Sequence, residues 1–129
     1  MRIFTTALVG VAMLAAITVS VADEDTRRLT GSYNWTGGES GPLTAYFTPT
    51  DEADVWDVEF KFDFRGPRLY AGTAKGSLET GALSGEVESD GKRKRTFTFE
   101  GSFAEGTFSG THAEIVDEKS YSTGTLTLQ

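Results

Sequence analysis

The sequence predicts an all-β protein, a single small antiparallel up-and-down β-barrel of about eight strands that follows an N-terminal signal peptide. Apolar and polar residues alternate along a series of short segments, turn residues separate these segments, and no part of residues 23–129 has a convincing helical period. Short turns join antiparallel neighbours and leave no room for crossover helices. A two-sheet β-sandwich is the alternative, which the short links disfavour because sandwiches use longer Greek-key crossings.

Residues 1–22 have the pattern of a secretory signal peptide. Arg2 supplies a positive start, the stretch from Ile3 to Val19 carries no charge, and Ser20 to Ala22 places small residues where a signal peptidase cleaves. An uncleaved membrane anchor is the alternative, but the stretch is near the lower length limit for a span and contains several polar residues. We therefore expect a secreted or periplasmic protein whose mature chain, residues 23–129, is one domain without a membrane span.

The clearest strand is the stretch from Val55 to Phe64. Its apolar face comprises Trp56, Val58, Phe60, Phe62 and Phe64, and its polar face comprises Asp57, Glu59, Lys61 and Asp63. A period of two indicates a strand with one dry side and one wet side. The same alternation predicts strands at residues 28–35, 43–49, 54–64, 68–78, 82–88, 94–103, 107–115 and 120–128, although both faces of the fourth segment carry apolar residues.

An internal repeat links two of the predicted hairpins. The segment from Gly76 to Gly85 resembles the segment from Gly101 to Gly110, which lies 25 residues later. Each copy has the pattern of a strand end, a tight glycine turn and the start of the next strand. Two copies are too few for a solenoid, so the repeat indicates one hairpin geometry used twice in one sheet.

Composition and motifs disfavour several classes of function. The 129 residues include 12 Lys and Arg, 19 Asp and Glu, and no Cys, for a net charge of −7. An acidic chain is a poor partner for nucleic acid, and the absence of Cys excludes disulfides, thiol nucleophiles and zinc–thiolate sites. His112 is the sole histidine and lacks metal-ligand spacing, and there is no Gly-x-Ser-x-Gly elbow. We expect no enzyme, no catalytic residue, no cofactor and no metal.

The predicted interior is rich in aromatic side chains. Ten aromatic residues share the inward phase of their strands: Tyr33, Trp35, Phe47, Trp56, Phe60, Phe62, Phe64, Phe97, Phe99 and Phe108. An eight-stranded barrel is just wide enough to be filled by side chains or to hold one small ligand, and each aromatic ring buries about 150–250 Å². We therefore expect a shallow pocket at one end rather than a large cavity.

The pattern resembles the calycin group, the secreted barrels of lipocalin and avidin type. The segment Gly31-Ser32-Tyr33-Asn34-Trp35 lies in the first predicted strand, where those families often carry Gly-x-Trp. This chain has Tyr33 at the third position, with Trp35 one inward step later. The resemblance implies a barrel that binds a small molecule at its mouth. Because the motif departs from the family pattern, no ligand-binding residue is carried over from it.

Four residues are candidates for binding a ligand: Tyr33, Trp35, His112 and Glu114. His112 and Glu114 share the inward phase of Phe108, and a polar pair after an apolar face indicates a strand that leaves the core for an open end. They are interpreted as a hydrogen-bonding pair that orients a ligand, and the alternative is a structural histidine near the rim. Tyr33 and Trp35 would form an aromatic wall, for which core filling is the alternative.

Two functional hypotheses follow. The first is an exported, non-enzymatic binding module for a small, partly apolar ligand at the barrel end. The alternative is a structural or protein-interaction module of the cell envelope, with a filled core and contacts through outer-face residues such as Tyr46 and Tyr121. The basic run from Lys92 to Arg95 is interpreted as a solvated hairpin tip that pairs with neighbouring acids. Binding of an anionic polymer or a lipid headgroup is its alternative.

Overall fold

The barrel predicted from the alternation is confirmed. The structure, a computed structural model, describes residues 25–129, and the predicted signal peptide at residues 1–22 lies outside them. Each strand pairs antiparallel with the next, and the last pairs with the first to close the barrel. The strands are β1 (Arg27–Trp35), β2 (Ser40–Pro49), β3 (Val55–Asp63), β4 (Pro67–Gly76), β5 (Gly81–Ser89), β6 (Thr96–Ala104), β7 (Thr107–Val116) and β8 (Lys119–Leu128). Residues 25–129 contain no helix that is long and apolar enough to cross a membrane.

Strand β2 begins three residues earlier than the alternation predicts. Gly41 and Pro42 have the composition of a turn, but they pair with Tyr33 and Ser32 of β1. The Tyr33 ring lies against Gly41, where a Cβ atom would be 3.1 Å from the Tyr33 hydroxyl oxygen. Packing of an aromatic side chain over a bare backbone therefore extends the strand beyond its local propensity.

One end of the barrel, termed the filled end, is packed by side chains. It carries the turns at residues 50–54, 77–80 and 105–106. Phe47, Phe108 and Leu128 have no exposed surface there, and the Phe108 ring lies 5.4 Å from that of Phe103, centroid to centroid. Trp56 seals the same end, since its indole N–H donates to the carbonyl oxygen of Gly76 at 2.9 Å.

The repeated segments form two antiparallel hairpins at the filled end, but their turns differ in length, with residues 77–80 in the first and residues 105–106 in the second. Gly76 and Gly101 each lie so close to the partner strand that a Cβ atom would overlap a backbone oxygen, of Ala82 and Ser109 respectively. Gly81 follows the first turn and Gly106 lies in the second, with positive φ angles of 87° and 81°. Both copies are therefore hairpins of one sheet, but the interpretation of one geometry used twice is wrong, because Gly76 lies opposite Leu83 whereas Gly101 lies opposite Gly110.

The opposite end is termed the open end, and the seam where β8 meets β1 runs from it toward the filled end. The open end carries the turns at residues 36–39, 64–66, 90–95 and 117–118. At the seam five residue pairs join the strands, from Gly31 opposite Leu128 to Trp35 opposite Gly124.

The pairing of β7 with β8 contains a bulge. A register shift places His112 opposite Gly124 and Ala113 opposite Ser122, so that Thr123 is an extra residue. Strict alternation along β8 would turn the side chain of Thr123 outward, but the bulge buries it.

Candidate ligand-binding site

A cavity of about 250 Å³ enters the barrel at the open end. Its floor includes Phe60 and Phe99, whose ring centroids are 5.1 Å apart in an edge-to-face contact. Its mouth includes Ser89, Asp90 and Gly91 at the β5–β6 turn, which are too small to cover the opening. The expected pocket at one end is therefore present.

Aromatic rings form a continuous wall around this cavity. The sequence of neighbouring rings is Tyr33, Phe62, Tyr70, Phe97, Trp35 and Phe64, with centroid separations between 5.2 and 6.2 Å. Edge-to-face and offset contacts of this kind hold aromatic side chains in defined positions. The wall combines residues of β1, β3, β4 and β6, and the turn residue Phe64, so it exists only once the barrel has closed.

Tyr33 and Trp35, two of the predicted binding residues, both line the cavity. The Tyr33 hydroxyl donates to the backbone oxygen of Asp63 at 2.9 Å, and burial raises the pKa of this phenol, with Glu39 and Asp63 acting in the same direction. Its hydroxyl is therefore neutral and committed to the backbone. Trp35 is only partly buried, so its indole ring is more accessible to a ligand than the Tyr33 side chain is.

His112 lines the cavity and is held by hydrogen bonds on both ring nitrogens. Its Nε2 lies 3.0 Å from the backbone oxygen of Asn34, and its Nδ1 lies 2.7 Å from the hydroxyl oxygen of Thr123. Because a carbonyl oxygen only accepts, Nε2 carries the hydrogen in the neutral ring. The Thr123 hydroxyl has a single hydrogen and two acceptors within reach, Nδ1 of His112 and the backbone oxygen of His112 at 3.1 Å. Burial lowers the pKa of His112, partly offset by hydrogen bonds to the backbone of Asn34 and Thr125, which favours this neutral form.

Glu114 pairs with Arg95 and not with His112. The Arg95 Nε and Nη2 atoms donate to the two carboxylate oxygens of Glu114 at 2.9 and 3.0 Å. This bidentate pair lowers the pKa of Glu114 and raises the pKa of Arg95, so both remain charged at neutral pH. Glu114 lies behind Arg95 and does not line the cavity, whereas Arg95 does. The two residues therefore have separate protein partners, and their joint role in orienting a ligand stays a prediction.

Arg95 is the residue that sequence reasoning missed. Its guanidinium carbon lies 5.1 Å from the centroid of the Phe97 ring and 5.8 Å from that of the Trp35 ring. The sequence pattern that could have identified it is the alternation, because Arg95 shares the inward phase of Phe97 and Phe99. The basic run from Lys92 to Arg95 was instead interpreted as a whole, as a solvated hairpin tip. Elsewhere in that run, the exposed Lys94 pairs with Glu88 at 3.4 Å, as the prediction of acidic partners anticipated.

Arg68 and Arg93 add positive charge at the cavity mouth. Arg68 donates from Nε to the backbone oxygen of Phe64 at 2.8 Å and from Nη2 to that of Arg65 at 3.3 Å. These bonds fasten the β3–β4 turn beside the opening. No group of three His, Cys, Asp or Glu side chains that could hold a metal ion occurs in residues 25–129.

The closed barrel of eight antiparallel strands is consistent with the calycin type of architecture. Comparisons of this chain with protein-family models, with curated proteins and with solved structures found no match. The resemblance to calycins therefore concerns the architecture and not a family.

Proposed function

We propose that this protein is an exported, non-enzymatic barrel that binds a small, partly apolar ligand in the cavity at its open end. The observation that carries the proposal is the difference between the two ends. The filled end is sealed by side chains such as Phe47 and Phe108, whereas the open end keeps a cavity of about 250 Å³ between aromatic walls. Apolar concave sites with a few convergent polar groups are the usual form of small-molecule sites.

The size of the cavity indicates the size of the ligand. A dry cavity of about 150 Å³ admits benzene, and sites for drug-sized ligands begin at roughly 300 Å³. A cavity of about 250 Å³ therefore suits a body of one or two rings, or a short acyl chain. Such a ligand would cover Trp35 and Phe62, which remain only partly buried in the barrel.

The polar groups of the site support binding rather than catalysis. Both ring nitrogens of His112 are engaged, by Asn34 and Thr123, so the ring is poorly placed to serve as a general base for a substrate.

The proposal that the protein is exported rests on the signal-peptide pattern of residues 1–22.

A fluorescence titration tests the proposal, because the two tryptophans lie at opposite ends. Aromatic acids, alcohols and amines and short fatty acids would be added to the purified protein and to its Trp35→Phe and Trp56→Phe variants. We expect the emission change in the wild type and in Trp56→Phe, but not in Trp35→Phe. A ligand present at 100 times its Kd would also stabilise the protein by about 2.7 kcal/mol. If no compound changed emission or thermal stability at millimolar concentration, the proposal would be wrong.

The second candidate is an interaction module of the cell envelope, and the exposed side chains of the β7–β8 hairpin favour it. Val116 is 44% exposed and Tyr121 is 52% exposed. Tyr46, the other outer-face candidate, lies beneath Lys61, whose Nζ is 5.2 Å from the ring centroid. This function predicts that Tyr121→Ser reduces chemical crosslinking to envelope proteins while leaving small-molecule binding unchanged.

A further inference from the structure

We infer that the ligand is a small amphipathic acid whose anionic group contacts Arg95 at the mouth of the cavity. Its apolar body, of one or two rings or a short chain, would occupy the aromatic wall below. This inference rests on the proposed function and names the chemical class of ligand for the same site.

The charge at the mouth is opposite in sign to that of the whole chain. Acidic residues outnumber Lys and Arg by 19 to 12 in the sequence. Among the described residues that line the cavity, however, Arg68, Arg93 and Arg95 face a single acid, Asp90. Glu114, which bonds to Arg95 but does not line the cavity, is a second acid, and the three arginines still give the mouth a net positive charge. A cleft lined by one sign of charge concentrates ligands of the opposite sign, so this mouth attracts anions to a protein whose surface otherwise repels them.

Arg95 is held in place and keeps hydrogen-bond donors for a ligand. A guanidinium has five N–H donors, and Glu114 accepts one from Nε and one from Nη2. The remaining donors are available at a side chain that lines the cavity and is 38% exposed. Contact with Phe97 and Trp35 and the bond to Glu114 restrict its motion before a ligand arrives, which reduces the entropy lost on binding. Arginine in such a setting favours planar, bidentate anions, above all carboxylates.

A cationic ligand is disfavoured although aromatic walls attract cations. The faces of Trp35 and Phe97 that would stabilise a cation are already covered by the Arg95 guanidinium, at 5.8 and 5.1 Å from the ring centroids. A second cation would replace a favourable cation–π contact by repulsion from Arg95. The same rings can still pack against an apolar body through their remaining surface.

We expect Glu114 to influence how tightly the site binds an acid. Its carboxylate holds Arg95 and also offsets part of the positive charge that an acid would meet. Replacement by Gln retains an oxygen acceptor for the guanidinium and removes the negative charge. The Glu114→Gln variant should therefore bind the acid in preference to its neutral amide by a larger factor than the wild type does, which is an effect that a purely structural ion pair would not produce.

Calorimetry with three matched probes tests the inference. The probes are 4-phenylbutyrate, its neutral amide 4-phenylbutanamide and its cationic counterpart 4-phenylbutylamine, which share one ring and one chain. Hydrogen bonds to charged groups are worth about 1.5–3 kcal/mol, so the carboxylate should bind about tenfold more tightly than the amide, or better. The amine should bind more weakly than the amide.

Two arginine variants test whether Arg95 causes the preference for the acid over the amide. Arg95→Met should bind acid and amide equally, whereas Arg28→Met, which removes the same charge from an exposed position near the filled end, should retain the wild-type preference. Circular dichroism would verify that each variant is folded. If Arg95→Met does not fold, the three probes with the wild type and Glu114→Gln still decide the question.

The outcomes separate this inference from the proposed function. If the amide binds the wild type as tightly as the acid, or if Arg95→Met keeps the preference for the acid, the inference is wrong and the binding function stands. An unchanged or smaller ratio of acid affinity to amide affinity in Glu114→Gln would also contradict it. If neither the three probes nor octanoate binds at millimolar concentration, both the inference and the proposed function are wrong.

Discussion

The imidazole of His112 crosses strand β8 over Gly124 and reaches the backbone of β1. A Cβ atom on Gly124 would lie 2.9 Å from the His112 Cε1 atom and would overlap the backbone oxygen of Asn34, the same oxygen to which Nε2 is bonded at 3.0 Å. The absence of a side chain at this position lets one histidine connect three strands at the seam where the barrel closes. The bulge at Thr123 supplies the bond to Nδ1.

Substitution of Gly124 by Ala should destabilise the barrel by more than about 2 kcal/mol, because the new methyl group clashes with β1 and the φ angle of 151° is unfavourable for Ala. Gly91→Ala is the matched control, since a Cβ atom there would meet nothing within 4 Å. Urea unfolding of the two variants would give the difference. Equal stability of the variants would show that the seam has room for a side chain.

Loss of the His112 side-chain bonds should also weaken the seam. We expect His112→Ala to lower the free energy of unfolding by about 1–3 kcal/mol, because it removes both hydrogen bonds of the ring and leaves the buried Thr123 hydroxyl with only its bond to the backbone oxygen of residue 112. Thr123→Val removes the hydroxyl at nearly constant volume. The effects of the two substitutions should be less than additive in a double-mutant cycle, and strict additivity would exclude a coupled pair.

The stability of the protein should depend on pH through His112. Burial lowers the pKa of the folded imidazole below its ordinary value of 6.5, so the unfolded chain binds more protons than the folded chain between these two values. Stability is therefore complete above pH 6.5 and decreases as the pH falls toward the pKa of the folded state. His112 is the sole histidine, and unfolding of His112→Gln should lose this dependence. If the stability of His112→Gln depended on pH as strongly as that of the wild type, a group other than His112 would be responsible.

The two ends of the barrel should respond differently to loss of an aromatic ring. Phe108→Ala should cost about 3–5 kcal/mol, because Phe108 has no exposed surface and lies at the filled end. Phe64→Ala should cost less than about 2 kcal/mol, because its ring is partly exposed and borders the cavity. Thermal unfolding would compare the two variants. Similar costs would contradict the distinction between a filled end and an open end.

Local patterns were sufficient to predict the strands, their order and most of the inward residues. The alternation in β3 places Phe60 inside and Glu59 outside whatever the neighbours are, because successive side chains of a strand point to opposite faces. The same rule placed Tyr33 and Trp35 on the inner face, where both line the cavity. Short turns then left neighbouring strands to pair in sequence order.

The partners of the polar residues were decided by the tertiary structure. Glu114 contacts Arg95 because β7 pairs with β6 in a register that brings the two side chains together at the rim. His112 contacts Asn34, far away in sequence, because the barrel closes and Gly124 leaves a path across β8. Alternation specifies a face but neither a cross-strand register nor a bulge, and these depend on how all eight strands pack around one interior.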